Sequence, residues 1–397
     1  NPRPCFFEFA RFFAGNPLMM SLAWARRIDW PIMGFAAALL VTGWMGISRY
    51  DDLVGHSGRW LRQQVLWSVL AAAAMLGLAR ADYRRVGRWG FAVFGGALVL
   101  LVAVYFFPAV NGAHRWIRLG PVGLQPSEFA KVAFVLALAR YLMYRESYRR
   151  LPGLIAPLAL ALVPIVLILR EPDLGTAVVF LPVLFTMLFV AGARLRHLGM
   201  VLLVGLATVP LLWTQMSREQ RSRVTALLDQ PAAGQPPGND GFHLYRAKQM
   251  RAMGGFGGTF FANTPAGDAA AFRLPYARND FIACVLGERF GLVGFAGLMT
   301  LFAGLVYRAV QIAAATREPF GRLLAAGVAA LLAVEVTINL GMTVGLLPVT
   351  GLSLPMVSYG GSGLLAHGIA LGLVLSVAAR PGYEVTAEPF RYAVGVK

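Results

Sequence analysis

The chain has 397 residues, 57% of them apolar and only 14% charged, with a mean hydropathy of +0.62. A soluble domain carries about 25% charged residues, so a soluble globular enzyme, a disordered chain and a disulfide scaffold are excluded and a polytopic membrane protein is required. The formal charge of +17 comes from 36 Lys and Arg against 19 Asp and Glu; the basic residues sit in short loops between apolar runs, which is the positive-inside pattern with contacts to membrane lipids and not a nucleic-acid footprint.

Residues 1–30 read as an N-terminal cytoplasmic or interfacial segment. Its first part, NPRPCFFEFARFFAGNPLMM, is aromatic and basic but too broken for a span. It fits an interfacial amphipathic stretch or an appended extension equally well. Ten apolar runs follow, at about 31–49, 63–80, 89–107, 127–143, 153–170, 175–192, 197–213, 281–307, 323–346 and 361–379. Each is near the length of about 20 residues that crosses a bilayer as a helix. The expected fold is all-α, with about ten transmembrane helices in a membrane domain over 31–380 and a tail over 381–397. Arg80, Arg84, Arg85 and Arg88, then Arg140 to Arg150, Arg194 and Arg196, and Arg308 to Arg322 mark one set of loops as cytoplasmic, so both termini and the tail are expected inside. The remaining feature is a long segment, 214–280, on the outer side. It holds QPPGNDG (235–241) and GGFGG (254–258). Phe242, Leu244, Tyr245, Met250 and Met253 suggest that part of it packs on the membrane surface. A loop of this length inside a compact domain is functional or disordered. Cys5 and Cys284 are the only cysteines; no disulfide is expected between them, and two cysteines make no structural zinc site.

Charges at membrane depth are costly and mark function by default. Glu128 and Lys131 lie three residues apart in the fourth run, on one helix face, as a packing ion pair or as the lining of a polar cavity. The preceding NGAHRWIRLGPVGLQPSE places Arg115 and Trp116 beside a helix start, where Pro126 fits the first turn and Gln125 or Ser127 can satisfy free N–H groups. Such a place suits pyrophosphate, and it equally suits interfacial anchoring. Asp280 closes the long segment at the mouth of the eighth run. Spacing leaves three roles open for it: general base, metal ligand, or cap of the next helix. Glu288 and Arg289 read as a structural couple, Asp173 as a helix cap, and Glu335 with Asn339 as an i, i+4 hydrogen-bonded pair. LPVTGLSLPMVSYGGSG (347–363) reads as a re-entrant segment whose N–H groups and Ser358 can hold a polar ligand head, or as a tight turn.

Four stretches in this order, NGAHRWIRLGPVGLQPSEFAK, EPDLGTA, LPYARNDFIACVLGERFGLVG and NLGMTVGLLPVTGLSLPMVSYGGSG, resemble the SEDS family of shape, elongation, division and sporulation proteins. The resemblance spans about 30–380, and the GLLPVTG and QPSE forms look closer to its RodA branch than to its FtsW branch. It implies an inverting glycosyltransferase of the bacterial inner membrane that polymerises lipid II into β-1,4-linked glycan strands during cell-wall elongation. The family's essential acid corresponds to Asp280, its fourth-helix pair to Glu128 and Lys131, and its motif arginine to Arg115. Asn279 stands where the family usually has Thr, and a basic residue common in the family is missing near Gly257–Thr259.

The chemistry needs one base for a sugar hydroxyl, for which Asp280 serves. The pyrophosphate leaving group needs charge neutralisation, from Arg115, Lys131 or a divalent cation, Mg or Mn. The resemblance also implies a class B penicillin-binding protein as partner. A lipid II flippase is the rival reading; the position of the acid at the outer mouth favours surface chemistry.

Overall fold

The structure, a computed structural model, describes residues 27–55, 58–109, 113–120, 122–144, 150–216, 218–228, 240–262, 274, 277–380 and 382. The segment 1–20 with Cys5, most of QPPGNDG and the tail over 383–397 lie outside the described residues.

Each of the ten apolar runs is a helix. They are α1 (Trp30–Val54), α2 (Arg59–Arg80), then after a short α3 (Tyr83–Arg88) α4 (Gly90–Ala103), α5 (Pro126–Met143), α6 (Ile155–Arg170), α7 (Leu174–Ala191) and α8 (Leu195–Gln215). The long segment holds α9 (Arg218–Leu228), α10 (Asp240–Gly254) and α11 (Gly258–Ala262), and the chain returns as α12 (Ile282–Ala315), α13 (Pro319–Val344) and α14 (Gly361–Ala378). Local chemistry sets several starts. Asp29 Oδ1 accepts from the Ile32 N–H, Asp173 Oδ1 from Thr176, and Glu318 from Gly321, while Pro126 occupies the first turn of α5. Gly55, Gly192 and Gly345 close α1, α7 and α13 in the left-handed region. Within this helical fold a small antiparallel hairpin, β1 (Ile117–Leu119) with β2 (Val122–Leu124), precedes α5.

Among the described residues, seven helices are long and apolar enough to cross a membrane: α1, α2, α6 with the 3-10 turn before it, α7, α12, α13 and α14. α4 and α8 are shorter apolar helices. α5 carries Glu128, Lys131 and Arg140 and is nonetheless buried on almost every face, as are α13 and α14. These three form the centre of the bundle. α14 lies against α2, and there a Cβ on Gly368 or Gly372 would stand 2.6 Å from the Ala71 or Met75 carbonyl. The small residues one turn apart are what let the two backbones meet. α8 is peripheral, with Met200, Leu203, Val204, Leu206 and Leu211 exposed.

Part of the long segment packs against the bundle itself. Leu244 and Met250 are buried, with Ala247, because α10 packs on α12 and α13. The docking point is a kink in α12, where Gly291 has φ 64° and ψ −157°. A kink frees backbone donors; here the Leu292 and Val293 N–H groups bond the carbonyls of Gly255 and Phe256 in the turn between α10 and α11. Beside it Glu288 is fully buried. It accepts from Arg49 of α1 at both oxygens, 2.8 and 3.2 Å, and from Thr259 Oγ1 at 2.7 Å. Glu288 is therefore not coupled to Arg289, whose guanidinium lies over the Phe260 ring.

Candidate functional site

Asp280 lies just before α12, yet it does not cap that helix: the cap residue is Phe281, with no side-chain hydrogen bond. Three consecutive carbonyls fix this corner. The Tyr359 N–H donates to Arg278 O (2.9 Å), Ser358 Oγ donates to Asn279 O, and Asn339 Nδ2 donates to Asp280 O (2.8 Å). Asn279 replies through Nδ2 to Tyr359 O (2.9 Å). The uncharged segment 347–360 thus runs beside the end of the long loop as irregular backbone buried in protein. Gln64 of α2 holds its Ser358 carbonyl (3.1 Å), and Tyr359 donates from its hydroxyl to Gln63 (2.6 Å).

Behind this corner lies a cavity of about 390 Å³. Asp280, Asp173, Arg115, Arg223, Glu128, His243 and His367 are its charged and histidine lining, with Gln125, Asn279, Ser358 and Tyr359 among its other polar residues. It sits at the end of the bundle where α4 joins α5, α6 joins α7 and α13 joins α14, opposite the arginine-rich loops. Burial, and next the Asp173 carboxylate, push the Asp280 carboxyl up to about 7, while Arg223 and Arg115 pull it back. Glu171 is pushed to about 8 by burial and by Asp173, and both its carboxyl oxygens are buried without a hydrogen-bond partner. Arg115 is held by donating to the backbone carbonyls of Glu171 (2.9 Å) and Pro172, which leaves its other N–H groups to the cavity wall.

Deeper in the bundle, Lys131 donates to Glu128 (2.9 Å) and to Glu335 of α13, and Glu335 also meets His367 Nε2 of α14 at 2.6 Å. All four are buried. Glu128 Oε2 keeps no partner, although the residue lines the cavity.

The structure brings Asp280, Arg115, Glu128, Gln125 and Ser358 to one cavity; Lys131 lies one step behind it, and Ser127 is buried with an unpartnered hydroxyl outside the lining. Neither Gln125 nor Ser127 caps α5 through its side chain. Ser358 spends its hydroxyl internally, donating to Asn279 O and accepting from the Leu354 N–H, so it supports the corner more than it offers a ligand contact. Glu335 and Asn339 do not bond each other: one turns to Lys131 and His367, the other to Asp280. Asp173 caps α7 as expected and lines the cavity as well. Arg223 and His367 escaped sequence reading, because nothing local ties a charge in α9 or a histidine in an apolar helix to Asp280.

Among the described residues, Glu128, Glu335 and His367 have ligand atoms close enough for a metal ion. The Lys131 ammonium already bonds both carboxylates of that trio, so it does not fit a divalent cation. Magnesium is commonly held by one or two carboxylates together with substrate phosphates. The cavity offers such carboxylates in Asp280 and in the unpartnered Oε2 of Glu128, while each oxygen of the neighbouring Asp173 accepts from Thr176.

Residues 28–382 match the family profile described as "Cell cycle protein", FtsW/RodA/SpoVE. A probable peptidoglycan glycosyltransferase FtsW of Geobacter metallireducens is 34% identical over 375 residues, 91% of this chain and 97% of that one. The peptidoglycan glycosyltransferase MrdB of Escherichia coli K12 is 37% identical over 306 residues, 76% of this chain and 81% of that one. Among solved structures, a chain from work on how a peptidoglycan synthase complex coordinates polymerization and crosslinking is 32% identical. It superimposes with a TM-score of 0.74, covering 88% of this chain and 97% of its own. The rod shape determining protein RodA of Thermus thermophilus gives 0.66 at 30% identity, covering 90% and 98%.

Proposed function

The chain belongs to the FtsW/RodA/SpoVE family, a multi-pass protein of the bacterial membrane, and we propose that it is a peptidoglycan glycosyltransferase that polymerises lipid II at the cavity closed by Asp280. The observation that carries this reading is a half-buried carboxylate poised at about 7, faced by two arginines, at the end of the bundle opposite the basic loops. With both termini cytoplasmic, that end is the outer one, where a lipid-linked sugar presents its head.

The acceptor's sugar hydroxyl attacks the anomeric carbon of the donor. A new C–O bond forms there as the bond to the lipid pyrophosphate breaks, and an α-linked donor inverts to a β-1,4 link. Asp280 takes the hydroxyl proton, and its raised pKa suits a base working near neutrality. Arg115 and Arg223 offset the charge that grows on the departing pyrophosphate. The leaving group is already good, so a second carboxylic acid is not required, in contrast with glycosidases. Bound to a magnesium or manganese ion, Asp280 would act through that ion's charge neutralisation instead of as the base. A class B penicillin-binding protein is the partner that crosslinks the strands, and cell-wall elongation is the setting; the Thermus RodA and the synthase-complex chain support both.

The test is lipid II polymerisation by purified protein with its partner, comparing wild type with Asp280→Ala. Long strands from wild type and none from a folded variant support the reading. Equal activity of the two removes Asp280 from catalysis, and no product from either favours a flippase.

A further inference from the structure

We propose that Asn339 is a positioning residue for Asp280, one amide that bolts the two walls of the cavity together. The inference rests on Asp280 being the reacting carboxylate. Its geometry is independent of that reading.

Asn339 sits in the apolar helix α13, fully buried. Its Nδ2 donates to Asp280 O at 2.8 Å and to Leu352 O at 2.6 Å. Both partners are carbonyl acceptors, so the orientation of the amide is dictated. Neither carbonyl has a ladder to join. The hydrogen bonding of α12 begins with Phe281 O, which takes the Cys284 N–H at 2.9 Å, one residue past Asp280. Leu352 lies in the irregular segment 347–360. Asp280 and Leu352 both line the cavity, and they arrive from chain segments on either side of α13 in the sequence. Without the amide, two buried carbonyls face each other unpaired, and the corner that carries the carboxylate must move to find other donors.

Asn339 Oδ1 has no partner. An apolar residue would avoid that cost. What the amide adds is the pair of bonds to Asp280 and Leu352, which is a positioning task and not a packing one. Displacing a reacting group by about 1 Å is enough to lose on the order of a hundredfold in rate.

The experiment compares Asn339→Leu and Asn339→Ala with wild type and Asp280→Asn in lipid II polymerisation, as full chains with the partner present. It reads kcat, KM, the pH–rate profile and thermal stability. Leu fills the space and offers no donor; Ala leaves room for a water that donates to both carbonyls. Positioning predicts activity in the order wild type, Ala, Leu. The Leu variant loses about 10- to 100-fold in kcat with KM within about twofold. The rising limb of its pH profile is displaced, because Asp280 shifts against Asp173, Arg115, Arg223, Glu128, His243 and His367, which line the same cavity. A packing role predicts the reverse order, with Leu more stable and more active than Ala, and that result overturns the proposal. So do variants that keep wild-type kcat and pH profile while Asp280→Asn is dead. If Asp280→Asn is fully active, it is the reading of Asp280 that fails.

Discussion

His367 meets Glu335 through Nε2 at 2.6 Å while its Nδ1 stands 2.6 Å from the Gly363 carbonyl, so both ring nitrogens face acceptors. An imidazole with two acceptor partners carries two protons. Lys131 supplies one positive charge to Glu128 and Glu335, and His367 supplies the second. The centre of the bundle therefore holds two acids and two bases with no net charge, drawn from α5, α13 and α14. That balance is what lets four ionisable groups sit among apolar helices.

Removing one member should cost far more than removing all four. Lys131→Met leaves two carboxylates against one imidazolium, and breaking a buried pair costs about 3–5 kcal/mol. The quadruple replacement Glu128→Gln, Lys131→Met, Glu335→Leu and His367→Phe should recover much of that loss without restoring polymerisation. Thermal denaturation in detergent reads the first effect and strand length the second. A single variant as stable as wild type would show that the charges are not coupled.

The same network predicts the response to chelation. Because Lys131 occupies the acid–histidine trio, EDTA should leave the midpoint of thermal unfolding unchanged. If a divalent cation takes part at Asp280, chelation lowers the polymerisation rate instead, and added magnesium or manganese restores it. A fall in unfolding temperature on chelation would contradict the assignment of the trio to Lys131.

Proton linkage at Asp280 fixes two signs. A base must be unprotonated, so kcat/KM should rise with pH through about 7, with the slope of one proton. Stability runs the other way. The folded state keeps its proton up to about 7, whereas an unfolded Asp releases it near 3.9. Between those values the native state binds more protons, so its stability falls as pH rises. Asp280→Asn should abolish strand formation yet unfold at a higher temperature than wild type at pH 8, with the difference shrinking toward pH 4. An unfolding difference independent of pH would remove the linkage.

Much of this was open to sequence reading, and the failures share a cause. The ten helices were legible because each apolar run has the length of a span. Glu128 with Lys131 was legible because i, i+3 residues share a face. Glu335 lies 204 residues beyond Lys131 and His367 a further 32 beyond Glu335, distances no periodicity encodes. Glu288 and Arg289 failed as a pair for an elementary reason: adjacent helical residues do not face each other, and Glu288 finds Arg49 from 239 positions earlier. Asn339 was correctly placed on the Glu335 side of its helix, but which donor a face meets is decided by the neighbour it packs on. The long segment was silent about Arg223 because its fold depends on seating glycines against the α12 kink.

That seat yields the last prediction. Glu288 joins α1, α12 and α11 through Arg49 and Thr259, with the Arg49 side chain 13% exposed and that of Glu288 fully buried. Thr259→Val removes one hydrogen bond and keeps the ion pair, a loss of about 1 kcal/mol. Glu288→Gln strands the guanidinium and should cost about 3 kcal/mol or more. The double replacement Arg49→Met with Glu288→Leu removes both charges and should be more stable than Glu288→Gln alone. Unfolding midpoints should therefore fall in the order wild type, Thr259→Val, Glu288→Gln, with the double variant above the last. Hydrogen exchange over residues 254–262 should speed up in Glu288→Gln, because the turn that satisfies Leu292 and Val293 loses its bolt. Unchanged exchange there, with a lowered midpoint, would mean that Glu288 braces α1 against α12 and does not hold the loop.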